Sequence, residues 1–110
     1  KEQVEGLVDG GVDIILFETT FDTLNVKAGL EAAEVVLKEK EKDLPIMLSL
    51  TLSAQGGRTF SGQTLLAFLA SIQHTHIVSV GLNCSFGAAD MKPYLCPLLY
   101  QRLSERRIAE

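Results

Sequence analysis

The apolar positions fall into short continuous runs separated by longer stretches with helical spacing. The runs are Asp13–Phe17, Pro45–Thr51 and Ile77–Leu82. The first lacks strict apolar–polar alternation, which predicts a strand covered on both faces. Pro45 suits the first position of a strand, where no ladder donor is required. Between the runs, Val26, Leu30, Ala33 and Leu37 mark one buried helical stripe, while Lys27, Glu31, Glu34 and Lys38 mark a solvated one. Leu65, Leu69 and Ile72 give the apolar face of another helix. Asp22 or Thr20 is the expected cap of the first of these helices, and Ser61 or Thr59 of the second.

At the amino end, Val4, Leu7 and Val8 have the spacing of a helix that Gly10-Gly11 stops. That helix starts without a capping residue and Lys1 is not an initiator methionine, so the sequence reads as cut from something longer. A last helix is expected from about Ala88, with Met91, Leu95, Leu98 and Leu99 toward the core. Pro97 predicts a kink or break there, because it removes a donor and crowds the carbonyl of residue 93. Helix, strand, helix, strand, helix, strand, helix is the order of an α/β protein. It implies about three parallel βα units joined by right-handed crossovers.

Composition narrows the function classes. The chain has 110 residues, enough for one modest core, and a formal net charge of −4. It has no Trp and few aromatics, so neither a basic footprint nor a base-stacking platform for nucleic acid is expected. No apolar run approaches the roughly 20 residues that span a bilayer. The first residues lack the apolar core of a signal peptide. With only Cys84 and Cys96 and no disulfide framework, a reducing cytoplasm is the expected location.

Parallel strands deliver their carboxyl ends to one side of a sheet, where α/β proteins bind ligands. The groups arriving there are Glu18 with Thr19, Thr51 with Ser53, and Asn83 with Cys84. A carboxylate holds an ammonium group, an amide recognises an amino acid, and a thiolate coordinates zinc or attacks an electrophile. Each has a plainer use: Glu18 as a helix cap, Asn83 as a turn residue, Cys84 as packing. No lysine and no histidine is expected at a strand end, which disfavours Schiff-base and papain-like chemistry. No catalytic residue is assigned. His74 and His76 lie at the opposite end of the last strand and read as surface residues. The loop Ser53–Ser61 lacks the ending of a phosphate-binding loop. It reads equally as a flexible connection or as a lid.

Several segments together resemble a known family. They are Gly10-Gly11-Val12-Asp13, Glu18 through Asn25 (ETTFDTLN), Leu44 through Met47, Gly57 through Thr64 (GRTFSGQT) and Gly81-Leu82-Asn83-Cys84. In this order and spacing they resemble the homocysteine-binding module of the homocysteine S-methyltransferases, most closely the cobalamin-dependent methionine synthases. The resemblance covers most of residues 5–95.

It implies a (β/α)8 barrel of roughly 250 residues, of which this chain is a partial barrel carrying the fifth to seventh strands. It implies zinc held by three cysteine thiolates, with Cys84 the first. The other two belong to a Gly-Gly-Cys-Cys segment that this sequence does not contain. Glu18 is similar to the carboxylate that receives the homocysteine amino group, and Asn83 to the amide beside the first zinc ligand. In the family, the zinc-bound homocysteine thiolate takes a methyl group from methylcobalamin and gives methionine. Cobalamin and methyltetrahydrofolate are held by other modules.

The 110-residue piece is therefore expected to be inactive alone. Betaine and S-methylmethionine are the alternative methyl donors. Residues 97–110 read as an atypical tail with no counterpart in the resemblance. A sheet with two exposed edges also predicts self-association. A non-catalytic, self-associating α/β fragment and a small enzyme using Cys84 as nucleophile are the competing readings.

Overall fold

The computed structural model describes residues 1–53, 56–84 and 87–97. Its elements are α1 (Glu2–Asp9), β1 (Ile15–Thr20), α2 (Thr23–Glu39), β2 (Ile46–Leu50), α3 (Leu65–Ile72) and β3 (Ser79–Leu82), followed by helical residues 88–97. The strands form one open, parallel sheet in the order β1-β2-β3. This is the α/β alternation of strands and helices expected from the apolar runs. Among the described residues no helix is long and apolar enough to cross a membrane.

The stripe Val26, Leu30, Ala33 and Leu37 is buried, and α2 lays it against β1. Asp22 caps α2, its carboxylate accepting from the Leu24 amide at 3.2 Å. At the other end, the Lys42 amide donates to Leu37 O at 2.9 Å and the Glu41 amide to Lys38 O at 3.3 Å. This pair of bonds is a Schellman motif, and it holds Glu41 in the left-handed region (φ 52°) where glycine is usual. The exit from α1 places Gly11 (φ 81°) in the equivalent position. Lys1 reaches Glu39 at 2.8 Å and Lys40 reaches Asp9 at 2.5 Å, tying α1 to the far end of α2.

The helices pack on one face of the sheet. Ile15, Ile46, Leu48 and Leu50 point into that core, with Phe17, Val80 and Leu82 packed against it. Leu65, Phe68, Leu69 and Ile72 of α3 complete it; Phe68, absent from the expected stripe, is its largest fully buried side chain. The opposite face is bare: Leu16 is 51 % exposed, and Met47 and Ser49 are partly exposed. Burial along β2 therefore alternates, and the expectation that β1 is covered on both faces does not hold. The alternation was hidden because the bare face is also apolar at Ile14 and Leu16.

Other boundaries move for physical reasons. β1 begins two residues later than Asp13 and runs on through Glu18–Thr20, because Thr51 N–H donates to Thr20 O at 2.9 Å and extends the ladder. β3 begins at Ser79 rather than Ile77. The cap of α3 is Thr64, which accepts from the Ala67 amide at 3.2 Å; Ser61 and Thr59 are spent inside the preceding loop, on each other. In the last helix Tyr94 packs on the core and Leu95 is exposed. Leu98, Leu99 and the tail lie outside the described residues, and the expected break at Pro97 falls at their limit.

Candidate functional site at the carboxyl edge of the sheet

The ladder between β1 and β2 is regular from Ile15↔Ile46 to Phe17↔Leu48, then resumes at Thr20↔Leu50. Glu18 and Thr19 therefore stand together opposite Ser49 alone. This is a β-bulge, a device that re-aims side chains near functional sites. It places Thr19 in the left-handed region (φ 56°), strained for a β-branched residue. Glu18 lies inside the strand, exposed, rather than past its end.

Asn83 follows the last residue of β3, and its amide N–H donates to Leu50 O at 2.8 Å. Its side chain lies across the strand ends. Thr51 Oγ1 donates to Asn83 Oδ1 at 2.6 Å, and Asn83 Nδ2 donates to Ser49 Oγ at 2.8 Å and to Thr19 Oγ1 at 3.5 Å. Two amide hydrogens meet two hydroxyl acceptors, and the amide oxygen meets one hydroxyl donor, which fits the capacity of the group. Thr51 is buried, so its hydroxyl would otherwise be left unsatisfied. Asn83 is thus the clamp that brings three strands' ends into one layer. Ser49 was not among the sequence candidates. Its place two residues before Thr51, on the same face of β2, is the signal that could have found it.

Cys84 is exposed and free, and it too is left-handed (φ 56°). Among the described residues three non-glycine residues have positive φ, and two of them, Thr19 and Cys84, sit at this edge. Such strain, on the order of 1–3 kcal/mol per residue, persists where surrounding structure fixes it and gathers at ligand sites. Glu18 and Cys84 are the chain neighbours of Thr19 and Asn83, the two residues that meet across the edge.

The donor set does not make a metal site by itself. Among the described residues no group of three or more His, Cys, Asp or Glu could hold an ion. Cys84 is the one thiol at the edge; Cys96 is exposed on helical residues 88–97. His74 and His76 are exposed on the connection before β3.

The loop between β2 and α3 is a bonded structure over its described residues. Thr59 N–H donates to Gln63 O at 2.8 Å, Gln63 N–H to Thr59 Oγ1 at 3.1 Å, and Arg58 Nη1 to Gly62 O at 2.9 Å. Thr23 Oγ1 bonds Gln63 Oε1, fastening the loop to the start of α2. Gly57 is left-handed, and a Cβ there would strike the Tyr94 ring. Most of the Gly57–Thr64 segment therefore builds the loop. Phe60 stays outside, meeting Phe21 edge-to-face at a centroid distance of 5.6 Å. A shallow hollow of about 160 Å³ lies between Thr19, Thr20, Phe21 and the first turn of α2. Phe17 and Val26 in its wall place it on the helix side of β1, and Glu18 and Asn83 are not part of it.

The sequence profile of the homocysteine S-methyltransferase family matches residues 1–109. The chain belongs to that family. The chemistry of that family is methyl transfer to homocysteine. The match spans β1, β2 and β3 with their carboxyl edge, and it continues beyond residue 95, where the resemblance carried by the motifs stops.

Proposed function

We propose that the carboxyl edge of this sheet is the homocysteine-recognising part of a zinc-dependent homocysteine S-methyltransferase of the methionine synthase type. Glu18 receives the ammonium group of homocysteine, Asn83 lines the amino-acid end of the site, and Cys84 contributes one thiolate to zinc. The other two thiolates come from outside this sequence, because the described residues offer a single thiol at the edge. The three strands are then one part of a (β/α)8 barrel wall, with the bare face turned to its interior. Methylcobalamin is the donor, delivered like methyltetrahydrofolate by other modules of the same enzyme in the cytoplasm.

The observation that supports this reading most is the Asn83 clamp. It spans Thr51, Ser49 and Thr19, and Glu18 and Cys84 adjoin it in the chain. What these residues do chemically is bind and orient: a carboxylate facing an ammonium group is a charge-assisted pair, worth about 1.5–3 kcal/mol. Glu18→Gln in the complete enzyme is expected to raise the KM for homocysteine by about 10- to 100-fold, with a smaller change in kcat. An unchanged KM would remove Glu18 from the site. The purified chain alone is expected to carry no stoichiometric zinc and to transfer no methyl group, since one thiolate supplies too little binding energy. Stoichiometric zinc in it would contradict the shared-ligand arrangement.

The bare face and the open edges of β1 and β3 give the chain its second property. Ile14 and Leu16 are exposed large apolar residues on that face. In isolation, a second copy is the partner that covers them. Sedimentation is expected to show association that rises with concentration and weakens in Leu16→Glu; a clean monomer at high concentration would oppose it.

A further inference from the structure

Thr51 is the first residue past β2, and it is bonded to the exits of both flanking strands. Its amide N–H donates to Thr20 O at 2.9 Å, at the end of β1, and its hydroxyl donates to Asn83 Oδ1 at 2.6 Å, just past β3. The residue is buried, so its hydroxyl needs a partner within the protein. Ser71 and Thr75 show the local solution: each donates to a backbone carbonyl three residues back. Thr51 instead reaches a side chain 32 positions away in the sequence.

With that bond in place, Asn83 is held twice. Its backbone N–H donates to Leu50 O at 2.8 Å, and its carboxamide is held by Thr51, Ser49 and Thr19. The chain leaves this anchored residue through Cys84, whose φ of 56° is a conformation that L-residues avoid. A left-handed non-glycine residue persists where its surroundings fix it. Asn83, its immediate neighbour, is the fixed point, and Thr51 is the buried end of the bond that fixes it.

We propose that Thr51 is a positioning residue for the Cys84 thiol: acting through the Asn83 carboxamide, it holds Cys84 in the left-handed turn that follows β3. Thr51 acts on the reaction only through Asn83. Its consequence for the enzyme rests on the reading of Cys84 as a zinc thiolate given above. A ligand already held in place binds a metal more tightly and releases it more slowly than one that must first be ordered.

The test compares Thr51→Val, which keeps the shape and removes the hydroxyl, with Thr51→Ser, which keeps the hydroxyl. Ile72→Val, a mild loss on the covered face, is the control for stability alone. In the purified chain NMR reads the Cys84 backbone directly, because a positive φ gives a strong intraresidue NOE between the amide and α protons. Thr51→Val and Asn83→Ala are each expected to lose that signal; Thr51→Ser and Ile72→Val are expected to keep it. In the complete enzyme, transfer of zinc to a chelator is expected to be about 10- to 100-fold faster in Thr51→Val and close to the wild-type rate in Thr51→Ser. The double variant Thr51→Val/Asn83→Ala should release zinc no faster than Asn83→Ala, since the two residues act in series.

A Cys84 signal absent from the wild type, unchanged in Thr51→Val, or lost equally in Ile72→Val would overturn the positioning role and leave the zinc reading intact. Additive acceleration of zinc release in the double variant would also overturn it, because Thr51 would then act independently of Asn83. Zinc held as tightly in Cys84→Ala as in the wild type would overturn the zinc reading, and with it the consequence for the enzyme, while the NMR comparison still decides the positioning.

Discussion

Leu48 and Leu16 sit on adjacent strands of one sheet, yet the first is 1 % exposed and the second 51 %. The side chain is the same and the neighbours differ. Leu48 faces α2 and α3 in the core, while Leu16 faces outward in a row with Met47 and Ser79. Following the bare face toward the carboxyl edge, that row gives way to Glu18–Thr19, Ser49 and Gly81, and then to Thr51 and Asn83. Its composition passes from apolar to polar within three steps of the ladder. The covered face stays apolar throughout, at Ile46, Leu48 and Leu50. One face stores the stability of the fold, and the other grades from a surface awaiting cover into a surface that presents polar groups.

The largest effect that checks this contrast is Leu48→Ala, expected to lose about 2–5 kcal/mol of unfolding free energy through lost burial and a cavity. That is a large share of the stability of a domain this size. Denaturant midpoints measure it, and equal losses for Leu48→Ala and Leu16→Ala would break the distinction between the faces. Next comes Gly29→Ala on the covered side. Its methyl would push the Phe17 ring, an overpacking cost of about 1–3 kcal/mol, against a helix-propensity gain of about 1 kcal/mol. A net loss of up to about 2 kcal/mol is expected, where Gly81→Ala on the bare face loses none.

Thr19→Gly works the other way. It relieves the left-handed strain, about 1–2 kcal/mol, and adds back part of that as unfolded-chain entropy. A gain of about 0.5–1 kcal/mol is expected, together with weaker homocysteine binding because the bulge no longer fixes Glu18. Smallest is Leu16→Ala, expected to stay within about 0.5 kcal/mol in dilute monomeric chain.

The stripe of α2 was legible because a period of 3.6 is visible when one face is apolar, whereas in α1 and the last helix the expected Leu7 and Leu95 are exposed. Val26, Leu30, Ala33 and Leu37 show it without interruption. The bare face of β1 was not legible, because Ile14 and Leu16 carry the same apolar character as the buried Ile15. Burial by absent or external partners and burial by the helices look identical in a sequence. The cap of α3 was obscured by a choice among Thr59, Ser61 and Thr64, decided by hydrogen bonds within a loop.

At the carboxyl edge, Asn83 and Cys84 were legible as residues that follow a strand, whereas Glu18 lies inside β1. The bonds of Asn83 to Thr51, Ser49 and Thr19 were not legible, because a bulge at Glu18–Thr19 and the approach of Asn83 to Ser49 are properties of register rather than of residue type.

The central claim is that the polar end of the bare face is where homocysteine is recognised. The most direct measurement is an NMR titration of the chain with L-homocysteine. The account predicts saturable shifts confined to residues 17–20, 49–51 and 81–84, including the Asn83 side-chain amide, that collapse in Glu18→Gln. Shifts absent from these segments, or centred on the hollow between Phe21 and α2, would contradict it.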